Sequence, residues 1–326
     1  MKNIDAHSHF IPPDSLPLLK ELGIELVPMD GGMYQLVHAG HVTSPVTKGY
    51  FDPESRLKEL DKLDIDVQVV SAARQTFLYE HPDPKVTARI ARHQNESVAK
   101  VTKQYDRFVG TATLPLQDMT LALREMDYAY SKLELRGLEI ATNLLGKNLD
   151  DDVFLPFYER LESYRWPMMI HPDYMMGAGT RLNKYYSPIM IGAIFETTIA
   201  FTYLVLGQIM DRFPNLKIML CHGGGAVPYQ IGRIDHGSEV RVEARQRAKK
   251  KPSEYLRSFY YDTIVHTDAA LEFLIKVVGA DRVIFGTDYA MNMGEWDGLK
   301  RINRVNISES DKIKISRTNA AALYGL

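Results

Sequence analysis

Met1-Lys2-Asn3-Ile4-Asp5-Ala6-His7-Ser8-His9-Phe10 opens the chain, and the rest is read outward from it. The stretch reads as a first strand. In an extended chain, side chains alternate in direction, so residues at i and i+2 share a face. His7 and His9 therefore point the same way, close enough to grip one metal ion. A terminal strand with two solvated or core-satisfied histidines would fit these ten residues too. Further ligands at matching places decide between the two readings.

Short β-branched runs alternate with amphipathic segments over the remaining length. The spacing predicts strands at Val67–Ser71, Phe108–Thr113, Gly137–Thr142, Pro167–His171, Lys217–His222, Phe259–Thr263 and Arg282–Phe285. It predicts helices from Asp52-Pro53 onward, then at about 84–104, 121–132, 152–163, 191–212 and 309–322, with another after Gly223-Gly224-Gly225. Residues 23–50 are irregular, with Gly31-Gly32 and Gly49 as breakers, and read as an insertion, a small hairpin, before the first barrel helix. Strands alternating with helices imply parallel pairing, and eight such units are the number that closes a TIM barrel. An open doubly wound sheet would carry a Gly-rich phosphate turn after strand one, and there is none. The expectation is an α/β chain: one distorted (β/α)8 TIM-barrel domain over residues 1–326, with a small insertion after strand one.

Composition sets the outer bounds. Of 326 residues, 45% are hydrophobic and 25% charged, ordinary for a globular protein, and the net charge of −2 gives no footprint for nucleic acid or an acidic membrane. The basic residues between Arg241 and Lys251 read as a solvated or intersubunit helix face. The one cysteine, Cys221, allows no internal disulfide framework and fits a reducing compartment. No apolar h-region follows the N-terminus, and the longest apolar stretch, Ile199–Leu206, is too short to span a bilayer. A cytoplasmic protein is expected.

In such a barrel, residues at the C-terminal strand ends face the active-site mouth. Strand one brings His7 and His9 there. Strand five ends in His171-Pro172-Asp173, strand six in His222 and strand eight in Gly286-Thr287-Asp288. Neutral imidazoles with one carboxylate suit a divalent ion such as zinc, with iron, cobalt or manganese as alternatives. His7, His9, His171 and Asp288 are assigned as ligands. His222 is placed to exchange a proton with water or substrate at the metal. Cys221 points away from the mouth. His38, His41, His236 and His266 are read as solvated or structural.

Asp5-Ala6-His7-Ser8-His9, Cys221-His222-Gly223-Gly224-Gly225 and Gly286-Thr287-Asp288-Tyr289 resemble the amidohydrolase superfamily. Asp52-Pro53-Glu54 with Arg56, the segment from Phe108 to Pro115, Glu196-Thr197-Thr198-Ile199-Ala200 and Gly232-Arg233-Ile234 bring the likeness closer to one branch. That branch surrounds α-amino-β-carboxymuconate-ε-semialdehyde decarboxylase, and the likeness runs nearly end to end. It implies a zinc-dependent, cofactor-free decarboxylase on a distorted TIM barrel, with His222 and Asp288 catalytic. It also implies a homodimer in which Arg233 reaches the neighbouring active site. The branch's substrate-binding arginine falls on Ser44, with Lys48 the nearest basic residue, and a pocket tryptophan falls on Ile189. Arg74 stands just past strand two, where the semialdehyde decarboxylase has no basic residue. Arg74, Arg233, Lys48 and Phe77 are the candidate substrate contacts. The expected reaction is non-oxidative loss of CO2 from a carboxylated aromatic or muconate-type acid. A hydrolase or hydratase using metal-activated water is the alternative.

Overall fold

The computed structural model of the chain describes residues 2–38, 41–43, 45–245 and 248–326. Parallel strands form its centre: β1 (Ile4–Asp5), β2 (Val67–Ala72), β3 (Phe108–Gly110), β4 (Leu138–Ala141), β5 (Pro167–His171), β6 (Lys217–Leu220), β7 (Phe259–Asp262) and β8 (Val283–Ile284). Every residue of β2 and of β5 is buried, because helices cover the sheet and its inner face is filled with side chains. That is why these strands read as apolar runs without alternation.

Strand β2 pairs with β1 on one side and β3 on the other. The remaining strands run β4-β5-β6-β7-β8, with Met169 of β5 registered against Glu139 of β4 and Met219 of β6. The two runs touch at both edges. Ala112 bridges to Leu138, the Ala6 N–H donates to the Phe285 carbonyl at 2.9 Å, and Ser8 bridges to Tyr289. The architecture is α/β of the TIM-barrel type. A short continuation of the first strand, His9–Phe10, pairs with Ser71 and Ala72 and aims His9 into the mouth.

The helices follow their caps. Helix α1 (Pro53–Lys62) starts where Asp52 accepts a hydrogen bond from the Ser55 N–H and Pro53 takes the first helical position. Helix α2 (Pro84–Gln104) has the bounds expected from its pattern. Helix α3 (Met119–Ser131) begins two residues before the expected start because Asp118 caps it through the Leu121 N–H. Helices α4 (Leu155–Tyr164), α5 (Ala193–Leu206), α6 (Val227–Val240) and α7 (Asp268–Val278) alternate with the later strands.

Two expectations need correction. Residues 23–50 hold more than a hairpin. Ile24–Pro28, Tyr34–His38 and His41–Val42 form a three-stranded antiparallel sheet, preceded by a helix at Leu16–Glu21. Gly31 and Gly32, both at positive φ, make the turn between its first two strands. Ser44 lies outside the described residues. The helix expected from Ile191 to Arg212 instead starts at Pro188 with a π-helical turn and ends at Leu206, with Gln208 in the left-handed region before a separate turn at Ile209–Arg212. By length and composition the helix from Pro188 to Leu206 is long and apolar enough to cross a membrane, which the shorter stretch Ile199–Leu206 was not. Its inner face, including Ala193, Ala200, Phe201 and Leu204, packs in the core, while Met190, Ile191, Phe195 and Tyr203 are exposed.

Candidate active site

Four strands deliver five groups to a single mouth. His7 and His9 come from β1 and its continuation, His171 from the last residue of β5, His222 from just past β6 and Asp288 from beyond β8. The His7 and His9 rings lie 5.3 Å apart, His9 and His171 4.6 Å, and His171 and His222 5.4 Å between centroids. One ligand atom from each of His7, His171, His222 and Asp288 falls within 4.8 Å of the others; a second trio of His9, Glu139 and His171 meets the same test. Thus all five expected residues converge, with His9 at 3.1 Å from Asp288 Oδ1 through its Nε2.

Proton positions follow from the partners. His7 Nδ1 lies 2.7 Å from Asp262 Oδ2. A carboxylate can only accept, so this nitrogen carries the proton and Nε2 keeps its lone pair. His171 repeats the arrangement, with Nδ1 3.1 Å from the Pro172 carbonyl. His7 Nε2, His171 Nε2, both ring nitrogens of His9 and Asp288 Oδ1 are buried without a hydrogen-bond partner. Buried polar atoms are nearly always satisfied. A cluster of orphaned lone pairs aimed at one another is what a divalent cation fills, and these residues fit one.

Charge settles accordingly. Burial, with His9 and His7 alongside, pushes His171 well below the ordinary imidazole value. Burial works against ionised Asp288, yet the imidazoles of His222, His9 and His7 around it hold it well below the usual carboxylate range. Burial opposes ionisation of Asp262 as well, and its bond from His7 overcomes that. Glu139 goes the other way: burial pushes it up to about 8. The anion is therefore concentrated on Asp288 and Asp262, on either side of His7.

Asp262 and Glu139 were missed by the sequence reading. Asp262 ends β7, and the strand-end rule that found the histidines would have found it. Glu139 sits mid-strand on β4, on an inward face that no local pattern distinguishes from core.

The cavity over this cluster measures about 630 Å³ and is bordered by His9, His171, His222 and Asp288 at its floor. Arg74, Phe77 and Ile189 line it as expected; His266 does too, from a loop that can reach the mouth, and so does His38, against its reading as a solvated loop residue. Two candidate substrate contacts do not line it. Lys48 Nζ is drawn to Asp52 at 2.6 Å, one helical turn away. Arg233 is exposed on α6, with no ion-pair partner among the described residues. Cys221 is fully buried, as its alternation predicts.

The amidohydrolase family profile matches residues 4–326. The chain belongs to the amidohydrolase family. Within it, a 2-amino-3-carboxymuconate-6-semialdehyde decarboxylase from Dictyostelium discoideum is 32% identical, over 99% of this chain and 91% of that protein. A γ-resorcylate decarboxylase from a Rhizobium species is 28% identical, over 84% of this chain and 87% of its own length. Among solved structures, a dihydroxybenzoic acid decarboxylase from a Polaromonas species, with bound manganese and the inhibitor 2-nitroresorcinol, superposes with a TM-score of 0.82. It is 24% identical, over 99% of this chain and 97% of its own, and shares the fold. This amidohydrolase thus stands on the branch of the semialdehyde and resorcylate decarboxylases.

Proposed function

We propose that this amidohydrolase is a metal-dependent, cofactor-free decarboxylase that removes CO2 non-oxidatively from a carboxylated aromatic or muconate-type acid. The observation that carries the proposal is the set of buried, unpartnered imidazole and carboxylate lone pairs at the floor of a large cavity, in a chain similar to the semialdehyde and resorcylate decarboxylases. His7, His9, His171 and Asp288 hold the metal in this reading. Zinc suits three imidazoles and a carboxylate, and manganese, bound in the related dihydroxybenzoic acid decarboxylase, is the other candidate. The two strand runs are read as one distorted (β/α)8 barrel, with the antiparallel sheet of residues 24–42 as its insertion.

When bound, the metal supplies a Lewis acid that holds and polarises the substrate carboxylate or an adjacent oxygen. His222 stands beside it, with Nε2 3.6 Å from Asp288 Oδ2, and holds the proton that the reacting carbon needs. The bond between that carbon and the carboxylate breaks, its electron pair stays on the carbon, and the proton from His222 takes it up as CO2 leaves. Asp288 keeps His222 oriented through this transfer. Phe77 and Ile189 pack on the substrate ring, and Arg74 contacts the body of the substrate.

A homodimer belongs to the same proposal. Met190, Ile191, Phe195 and Tyr203 on one helix, and Tyr229 on α6 with exposed Arg233, are exposed large apolar side chains. In the dimer, Arg233 of one copy serves the reacting carboxylate of the other. Headspace CO2 measured against substrate consumption, over carboxylated phenols and muconate-type acids with zinc or manganese loaded, tests the function. One CO2 per substrate consumed is expected. Consumption without CO2 would assign a hydrolase or hydratase instead.

A further inference from the structure

Beyond the metal cluster, the ionisable groups that border the cavity include Arg74, Asp173 and Glu80 and the imidazoles of His38 and His266, and Arg74 is the one lysine or arginine among its described lining residues. That cation is already committed. Arg74 Nη1 donates to Asp173 Oδ1, and both side chains are largely withdrawn from solvent, at 20% and 12% exposure. Asp173 Oδ1 also accepts the Tyr174 N–H at 2.9 Å, so the carboxylate is held in place. Away from the floor the cavity therefore carries a mutually neutralised Arg74–Asp173 pair, the exposed Glu80 carboxylate and the imidazoles of His38 and His266. The walls rising from the loops are apolar, with Phe77, Ile189, Met190, Met291 and Met293.

A second carboxylate on the substrate would meet Asp173 and Glu80 with no lysine or arginine among the described lining residues left unpaired to receive it. Taking an unpaired anion into such surroundings is unfavourable. A neutral oxygen meets a different wall. A guanidinium carries five N–H donors in a planar fork, and the bond to Asp173 uses one. The rest remain available to a phenol or ether oxygen, which needs no countercharge.

We infer that this site takes a monocarboxylic acid with an apolar ring body and a neutral oxygen facing Arg74, and that the Arg74–Asp173 pair discriminates against acids carrying a second carboxylate. The inference rests on the decarboxylase reading for one point, that the single carboxylate goes to the metal floor, where Arg233 of a second copy also serves. It narrows that reading from aromatic or muconate-type acids to hydroxylated aromatic monoacids.

Calorimetric binding of 2-hydroxybenzoate and 4-hydroxyisophthalate to the manganese-loaded protein, with CO2 release followed in parallel, tests it. The two acids differ by one carboxylate. The diacid is expected to bind at least tenfold more weakly. In Asp173→Asn, which frees the Arg74 charge, the ratio of the two dissociation constants should narrow at least fivefold, with a melting curve reporting that the variant folds. Equal or tighter binding of the diacid by the unaltered protein overturns the inference. So does an unchanged ratio in folded Asp173→Asn, or no binding of either acid. Selective binding of the monoacid without CO2 release would leave the inference standing and remove the decarboxylase reading.

Discussion

Asp262→Asn changes one heavy atom and should weaken the site's hold on its metal. In the native chain Asp262 Oδ2 faces His7 Nδ1 at 2.7 Å and accepts the His222 N–H at 2.8 Å, while Oδ1 accepts the Gly223 and Ile264 N–H groups at 2.8 and 3.1 Å. All four neighbours donate, and an amide has one accepting atom. With its NH2 toward Gly223 and Ile264, two buried backbone donors are orphaned, at about 1–3 kcal/mol each. With its NH2 toward His7, the imidazole can respond by moving its proton from Nδ1 to Nε2, leaving only the His222 N–H unsatisfied. The second arrangement is therefore favoured, and it takes away the lone pair that His7 offers the metal. Loss of such a supporting carboxylate lowers metal affinity by roughly 10–100-fold, or about 1.4–2.7 kcal/mol. Competition with a chromophoric chelator, titrating zinc and manganese into both proteins, measures this directly. A folded Asp262→Asn variant with unaltered affinity for both ions would refute the tautomer argument.

Three further outcomes follow from the same structure. His222→Asn should keep its metal, measured by elemental analysis, and lose about 100-fold or more in CO2 release, the scale of a lost proton donor; unchanged turnover would remove His222 from the reaction. Arg56 is fully buried and donates to Gln68 Oε1, Ser8 Oγ and the carbonyls of His9 and Gly49, so Arg56→Lys should lower urea stability by about 2–4 kcal/mol, since several of these charge-assisted bonds cannot be remade by one ammonium. Burial raises the Glu125 carboxyl above its ordinary value against the bonds from Asn95 and Arg92, so the folded state binds more protons than the unfolded one. Its contribution is then most favourable below pH 4.5 and declines as pH rises through the raised folded value. Denaturation at pH 4 to 7 should show Glu125→Gln gaining on the parent as pH rises, and a constant difference would count against the shift.

The metal-facing half of the site was legible because a strand end is a local feature with a global address. His171 closes a five-residue apolar run and His222 precedes three glycines, so each could be placed at the mouth without knowing its neighbours. Helix starts were equally local where Asp52 or Asp83 stood before a proline. What was illegible depends on distance through space. Glu139 looks like any residue of an interior strand until β1 brings His9 Nδ1 within 3.7 Å of it. Arg74 could be placed at the mouth from its position, but its neutralisation by Asp173 lies 99 residues away. The break at Gly207 and Gln208 was hidden because the apolar pattern continues through it. There a Cβ on residue 207 would come within 2.3 Å of Asp150 Cβ.

The Thr287 N–H and hydroxyl donate to Asp5 at 3.0 and 2.6 Å across 282 residues of sequence, and this clasp sets His7 beside Asp288. During synthesis the first two imidazoles leave the ribosome long before their carboxylate partner has been made. With chain growth at roughly 5–20 residues per second, that interval is on the order of tens of seconds. Until then the nascent chain offers a metal only imidazoles, His7 and His9 first and His171 later, with no Asp288 carboxylate to close the set. Selection among competing ions is deferred until the last strand docks, and is made by the finished cage.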